Sequence, residues 1–128
     1  MVNLTCRVVQ TNPVVGAIDD NAARIIGDII AHQSHCDCII FPELALCGYP
    51  PEDILLFPHC ASRVQVALSR IQAIVTDCHV IIGAPRYDDD NRCYNSAYVL
   101  HDGRCIEVYD KQALPNYGVF DERRYFSP

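Results

Sequence analysis

The spacing of apolar residues changes repeatedly along this chain, and each change marks the edge of an element. The segment NLTCRVVQ alternates apolar and polar positions and carries β-branched residues, so it predicts a strand, stopped by the breaker TNPVVG. Around Asp19 the period becomes helical. Ile18, Ala22, Ile25, Ile26, Ile29 and Ile30 fall on one stripe, with Asp19 or Asp20 as the N-cap. The run CDCIIFPEL is short and continuously apolar, as in a strand buried on both faces, and Pro42 ends it. After the loop CGYPPED, a second helical stripe follows in Val64, Ala67, Leu68, Ile71, Ile74, Val75 and Cys78. HVIIGAP repeats the buried-strand signature, and RYDDDNR reads as a solvent loop. YNSAYVL and RCIEVYD are strand-like and flank HDG, where Asp102-Gly103 predicts a tight hairpin. The order β-α-β-α-β-β-β predicts an α/β fold, a mixed sheet with two helices packed on one face. No internal repeat or linker interrupts it.

Composition narrows the classes of partner. A chain of 128 residues suits one domain or a piece of one, and its content of 50% hydrophobic and 20% charged residues is ordinary for a globular protein. The net charge of −6, with only ten basic residues, argues against a phosphate-backbone surface, so no nucleic acid is expected. No apolar run approaches the roughly eighteen residues of a membrane span, and MVNLTCRVVQTNP lacks a basic stretch leading into an apolar one. A cytoplasmic chain with no membrane partner is expected. The eight cysteines then read as reduced thiols rather than a disulfide framework, with Cys6, Cys38, Cys78 and Cys105 in or beside apolar stretches. The cluster His35, Cys36, Asp37 and Cys38 lacks the second ligand pair of structural zinc, so no metal is expected.

Two charged residues stand where a sheet gathers ligands. Glu43 follows CIIFP, and Lys111 lies two residues beyond CIEVY, so both belong at strand ends. In one cleft, they would suit proton transfer and stabilisation of a developing oxyanion. As separate surface charges they would do neither, and spacing alone does not choose between these arrangements.

Longer wordings carry a resemblance. FPELALCGYPPEDILL, VIIGAPR, YNSAYVL and YDKQALPNYGVFDERRYF, in this order, resemble the nitrilase (carbon-nitrogen hydrolase) superfamily. GYPPEDILL and LPNYGVFDERRYF are similar in particular to the N-terminal glutamine amidotransferase domains of the glutamine-dependent NAD synthetase family. The resemblance implies a four-layer αββα sandwich, of which this chain is about the first half, and a domain assignment of a partial glutaminase domain over 1–128. It implies that Glu43 is the general base, Lys111 the cation that steadies the oxyanion, and Glu122 a second glutamate bordering the site. Tyr49 and Tyr117 correspond to aromatics near the glutamine pocket, with plain packing under a loop as their alternative.

The family's nucleophilic cysteine belongs to a stretch that follows the Lys111 segment and has no counterpart here, so a truncated and inactive chain is expected. Cys47 is the cysteine nearest Glu43 in sequence, but in the family a small residue commonly stands there. ATP, magnesium and deamido-NAD are implied only for a synthetase domain that this sequence does not include, since no glycine-rich phosphate loop occurs in it. Uncovered sheet surface would favour self-association. The alternatives are another carbon-nitrogen hydrolase acting on a linear amide or nitrile, and a non-catalytic assembly module.

Overall fold

Helical crossovers build the first part of the sheet, and tight antiparallel pairing builds the rest. In the computed structural model, which describes residues 1–128, β1 (Cys6–Val8), α1 (Ile18–His32), β2 (Cys38–Ile40), α2 (Cys60–Ile74) and β3 (His79–Tyr87) alternate. β4 (Cys93–His101) and β5 (Arg104–Asp110) follow. The sheet order is β1-β2-β3-β4-β5, parallel through β3 and antiparallel beyond it. Both crossovers step in the same direction across the sheet. Because such connections are right-handed, α1 and α2 come to lie on the same face, where they pack on each other. Their apolar stripes meet Ile39, Val80, Ile82 and Ala84 in one core. On the opposite face, Val8, Ile40, Ile81 and Val99 stand in register as an open row.

Several boundaries differ from the sequence-based expectation, each for a local reason. β1 is an edge strand of three residues rather than the whole of NLTCRVVQ, because β2 offers it only Cys38–Ile40 as a ladder. The N-cap of α1 is Ala17, without a side-chain cap, while Asp19 and Asp20 sit in the first turn and face its positive end. Ile18, Ala22, Ile25 and Ile29 are buried, but Ile30 is 60% exposed because the stripe has rotated away from the core. α2 ends at Ile74, so Val75 and Cys78 enter the core from the connection to β3. β3 runs through Arg86 and Tyr87, which pair with Tyr94 and Cys93 instead of forming a loop. All eight cysteines are free thiols, yet Cys6 and Cys105 are exposed on edge strands, and the core thiols are Cys47, Cys60, Cys78 and Cys93. The hairpin at Asp102-Gly103 has φ of 47° and 68°, the left-handed pair that a two-residue primed turn requires. No helix is long and apolar enough to cross a membrane.

Candidate active site

Glu43 owes its position to a turn that folds back on β3. Beyond β2, the Phe41 N–H still donates to Ile81 O at 2.9 Å; the chain then reverses, with Ala45 N–H donating to Pro42 O at 3.2 Å and Gly48 N–H to Leu44 O at 2.8 Å. Leu44, fully buried, takes a left-handed φ of 50° to make the reversal. The turn rests directly on Gly83. A Cβ at that position would meet the backbone N of Leu44, and would lie 2.6 Å from Pro42 O and 2.8 Å from the Glu43 Cα. Only glycine lets β3 approach the turn so closely.

Lys111 is held by the end of β5. Its N–H donates to Asn95 O at 2.8 Å, continuing the β4–β5 ladder. Just before it, Asp110 accepts hydrogen bonds from Arg86 Nε and Nη2, at 2.9 and 2.6 Å, and from the Ser96 hydroxyl at 2.6 Å. Glu122 begins the short helical turn Glu122–Arg124, and its N–H donates to Pro115 O at 3.2 Å.

These segments bring four of the five expected site residues together. Lys111 Nζ donates to Glu43 Oε1 at 2.8 Å and to Glu122 Oε1 at 3.1 Å, although Glu43 and Lys111 are 68 positions apart in the chain. The other Glu122 oxygen, Oε2, lies 3.0 Å from Nζ but accepts no directed hydrogen bond, so that contact is Coulombic. Tyr49 Oη donates to Glu122 Oε1 at 2.9 Å. Tyr117 lies outside this cluster, 71% exposed and edge-on to Phe120 at 5.6 Å.

The electrostatics separate the roles. Burial by itself would lower the Lys111 ammonium, but hydrogen bonds to Glu43 and then Glu122 outweigh it and hold its pKa above the usual lysine value. Lys111 is therefore a lasting cation and unsuited to act as a base. The Tyr49 phenol is pushed up, first by loss of hydration and then by its bond to Glu122 and that residue's charge, so it remains a donor. Glu122 is only 5% exposed, an acid retained inside by Lys111 and Tyr49. Glu43 is the accessible carboxylate, its side chain 47% exposed.

Two cavities flank the cluster. One, of about 350 Å³, is lined by Tyr49, Pro51, Phe120, Glu122 and Arg124. The other, of about 300 Å³, is lined by Glu43, Asn95, Tyr109 and Lys111. The Lys111–Glu122 hydrogen bond joins the residues of one to those of the other. No cysteine lines either. Cys47 is wholly buried; its Sγ–H points at Gly48 O, 3.5 Å away, and burial, reinforced by Cys60 and Cys93, pushes its pKa up to about 12. Such a thiol is inert at neutral pH.

Asn95 and Gly83 belong to the site and escaped the sequence reading. Asn95 Nδ2 donates to Glu43 Oε1 at 2.6 Å. Gly83 had a usable signal, since a glycine inside a buried-strand pattern marks close backbone approach. Asn95 had none, because a polar residue in an alternating strand reads as solvent-facing.

A family model described as carbon-nitrogen hydrolase matches residues 5–128. The glutamine-dependent NAD(+) synthetase of Acinetobacter baylyi is 44% identical over 120 residues, covering 93% of this chain and 22% of the relative. The structure of glutamine-dependent NAD+ synthetase from Acinetobacter baumannii, solved with ADP, is 41% identical and superposes with a TM-score of 0.91, covering 97% of this chain and 24% of that one. An amidase from Nesterenkonia sp., 23% identical with a TM-score of 0.81 over 98% of this chain and 48% of its own, shares the fold. The chain thus spans about a fifth of the length of the curated relatives it matches.

Proposed function

This chain belongs to the carbon-nitrogen hydrolase family, and we propose that it forms part of a glutamine-hydrolysing site that supplies ammonia for amidation of deamido-NAD. The observation that carries the reading is the Lys111 ammonium bridging accessible Glu43 and buried Glu122 between two cavities. Glu43 acts as general base. It takes the proton of an attacking thiol as sulfur bonds to the carboxamide carbon, and the carbonyl π electrons move onto oxygen. Lys111 stabilises that oxyanion. Glu43 then returns the proton to nitrogen as the C–N bond breaks, releasing ammonia and leaving a thioester. Water opens the thioester by the same base, giving glutamate.

The thiol is not one of the cysteines around this cluster, since none lines the cavities and Cys47 is sealed in the core. The purified 128-residue chain is therefore expected to hydrolyse no glutamine. ATP and magnesium serve an amidation step for which residues 1–128 provide no glycine-rich phosphate loop, so their sites belong elsewhere in such an enzyme.

The test is glutamate release by the full-length protein that contains this sequence. Glu43→Ala and Lys111→Ala are each expected to slow it at least about a hundredfold. Release at the parental rate in either variant would refute the assignment. Glutamine hydrolysis without any ammonia-driven NAD formation would instead assign the site to a free-standing amidase.

A further inference from the structure

Asn95 is 4% exposed inside β4, yet its amide reaches into the cleft. Its Nδ2 donates to Glu43 Oε1 at 2.6 Å, and its backbone carbonyl accepts the Lys111 N–H at 2.8 Å. A single residue thus grips the side chain of the acid and the backbone of the cation. Its neighbour Ser96 points to the opposite face of β4 and donates to Asp110 at 2.6 Å, so the end of β5 is held from both sides.

The choice of oxygen is the informative detail. Lys111 Nζ and Asn95 Nδ2 converge on the same atom, Glu43 Oε1, at 2.8 and 2.6 Å, and Oε2 receives no donor. An oxygen already holding two donors has little lone-pair density left for a proton, whereas its partner keeps both lone pairs open. We infer that Asn95 is a positioning residue that fixes the Glu43 carboxylate so that Oε2 is the oxygen that exchanges the proton. The inference rests on the glutaminase reading, because it needs Glu43 to be the base. Lys111 and Glu122 are the charged groups around Glu43, with the Tyr49 and Tyr109 phenols beyond them, and Asn95 is the neutral member. A neutral donor orients the carboxylate without adding a charge that would need balancing.

Asn95→Asp keeps the side chain's shape, replaces the donor with an oxygen and adds a like charge beside Glu43. Both changes disfavour the ionised base. In the full-length protein the expected result is a fall in kcat for glutamine hydrolysis of about ten- to a hundredfold, with KM changed by less than about threefold. The acidic limb of the pH–rate profile is expected to move to higher pH, which a purely structural role would not cause. Asn95→Ala should move it the same way. An unchanged kcat and acidic limb in Asn95→Asp, with Glu43→Gln inactive, would overturn the inference alone. A fully active Glu43→Gln would remove the reading beneath it.

A second measurement needs no Asn95 variant to fold. In the full-length protein, the Asn95 Nδ2 proton resonances should shift as acid is added and lose that shift in Glu43→Gln. Resonances that behave alike in both proteins would also overturn the inference.

Discussion

Gly83 carries none of the chemistry, yet the position of Glu43 depends on it. A methyl group there would collide with backbone at three points of the turn, and backbone cannot rotate aside as a side chain can. Gly83→Ala is expected to destabilise the fold by about 1–3 kcal/mol, as overpacking does, and to displace Glu43 from Lys111. Urea denaturation of the variant checks the first part; an unchanged midpoint would contradict it. Lys111 adds a pH dependence of definite sign. Its pKa is raised in the folded state, so the stability it contributes is complete below the ordinary lysine value of 10.5 and is lost as pH rises through the folded value. The strand-end positions of Glu43 and Lys111 were legible in the sequence, but spacing left open whether they meet, and the roles expected of them came from the family resemblance. Asn95 was not legible, because its partner lies 52 positions away and no local pattern announces a hydrogen bond of that span.

The end of β5 is stabilised as an element. Arg86 on β3, Ser96 on β4 and Asp110 on β5 form one polar link across three strands, and the Arg86 guanidinium lies 4.2 Å from the Tyr94 ring centre. Hydrogen bonds from Arg86 hold the Asp110 carboxyl below its ordinary value of 3.8; burial opposes them, and the Ser96 hydroxyl adds to them. The sign follows from a depressed folded-state value: this stabilisation is present above 3.8 and is lost as pH falls through the folded value. Thermal midpoints measured from about pH 5 down to pH 2 should fall for the parent chain, and the fall should be shallower in Arg86→Met. Parallel slopes would contradict the link. Here the sequence misled, because Arg86 and Tyr87 adjoin RYDDDNR's acidic run and look like loop; cross-strand partners make them strand. Element order and the helical stripes were readable because burial imposes their periods directly. The short length of β1 was not, since it depends on how much of β2 lies beside it.

At the scale of the whole molecule, one sheet face carries two helices and the other is open. The open row includes Val8, 70% exposed, and Tyr109, paired with Ala97 on the same face, is 64% exposed. Burying such surface is favourable at about 25 cal/mol per Å², so the 128-residue chain is expected to self-associate. Size-exclusion chromatography at micromolar concentration should show a dimer or larger species, and a lone monomer peak would contradict this. The mixed sheet with helices on one face was legible because the order of elements leaves few ways to connect them, and the family resemblance implied the uncovered face; which residues form its row was not legible, since that depends on strand register. The same packing brings Glu43, Lys111 and Glu122 together from three separate segments. The most direct test of their assigned chemistry is the ratio of glutamine-driven to ammonia-driven NAD formation in the full-length protein bearing Glu43→Gln. The ratio is expected to fall at least about a hundredfold relative to the parent. A ratio equal to the parent's would show that Glu43 is not the base that releases ammonia from glutamine.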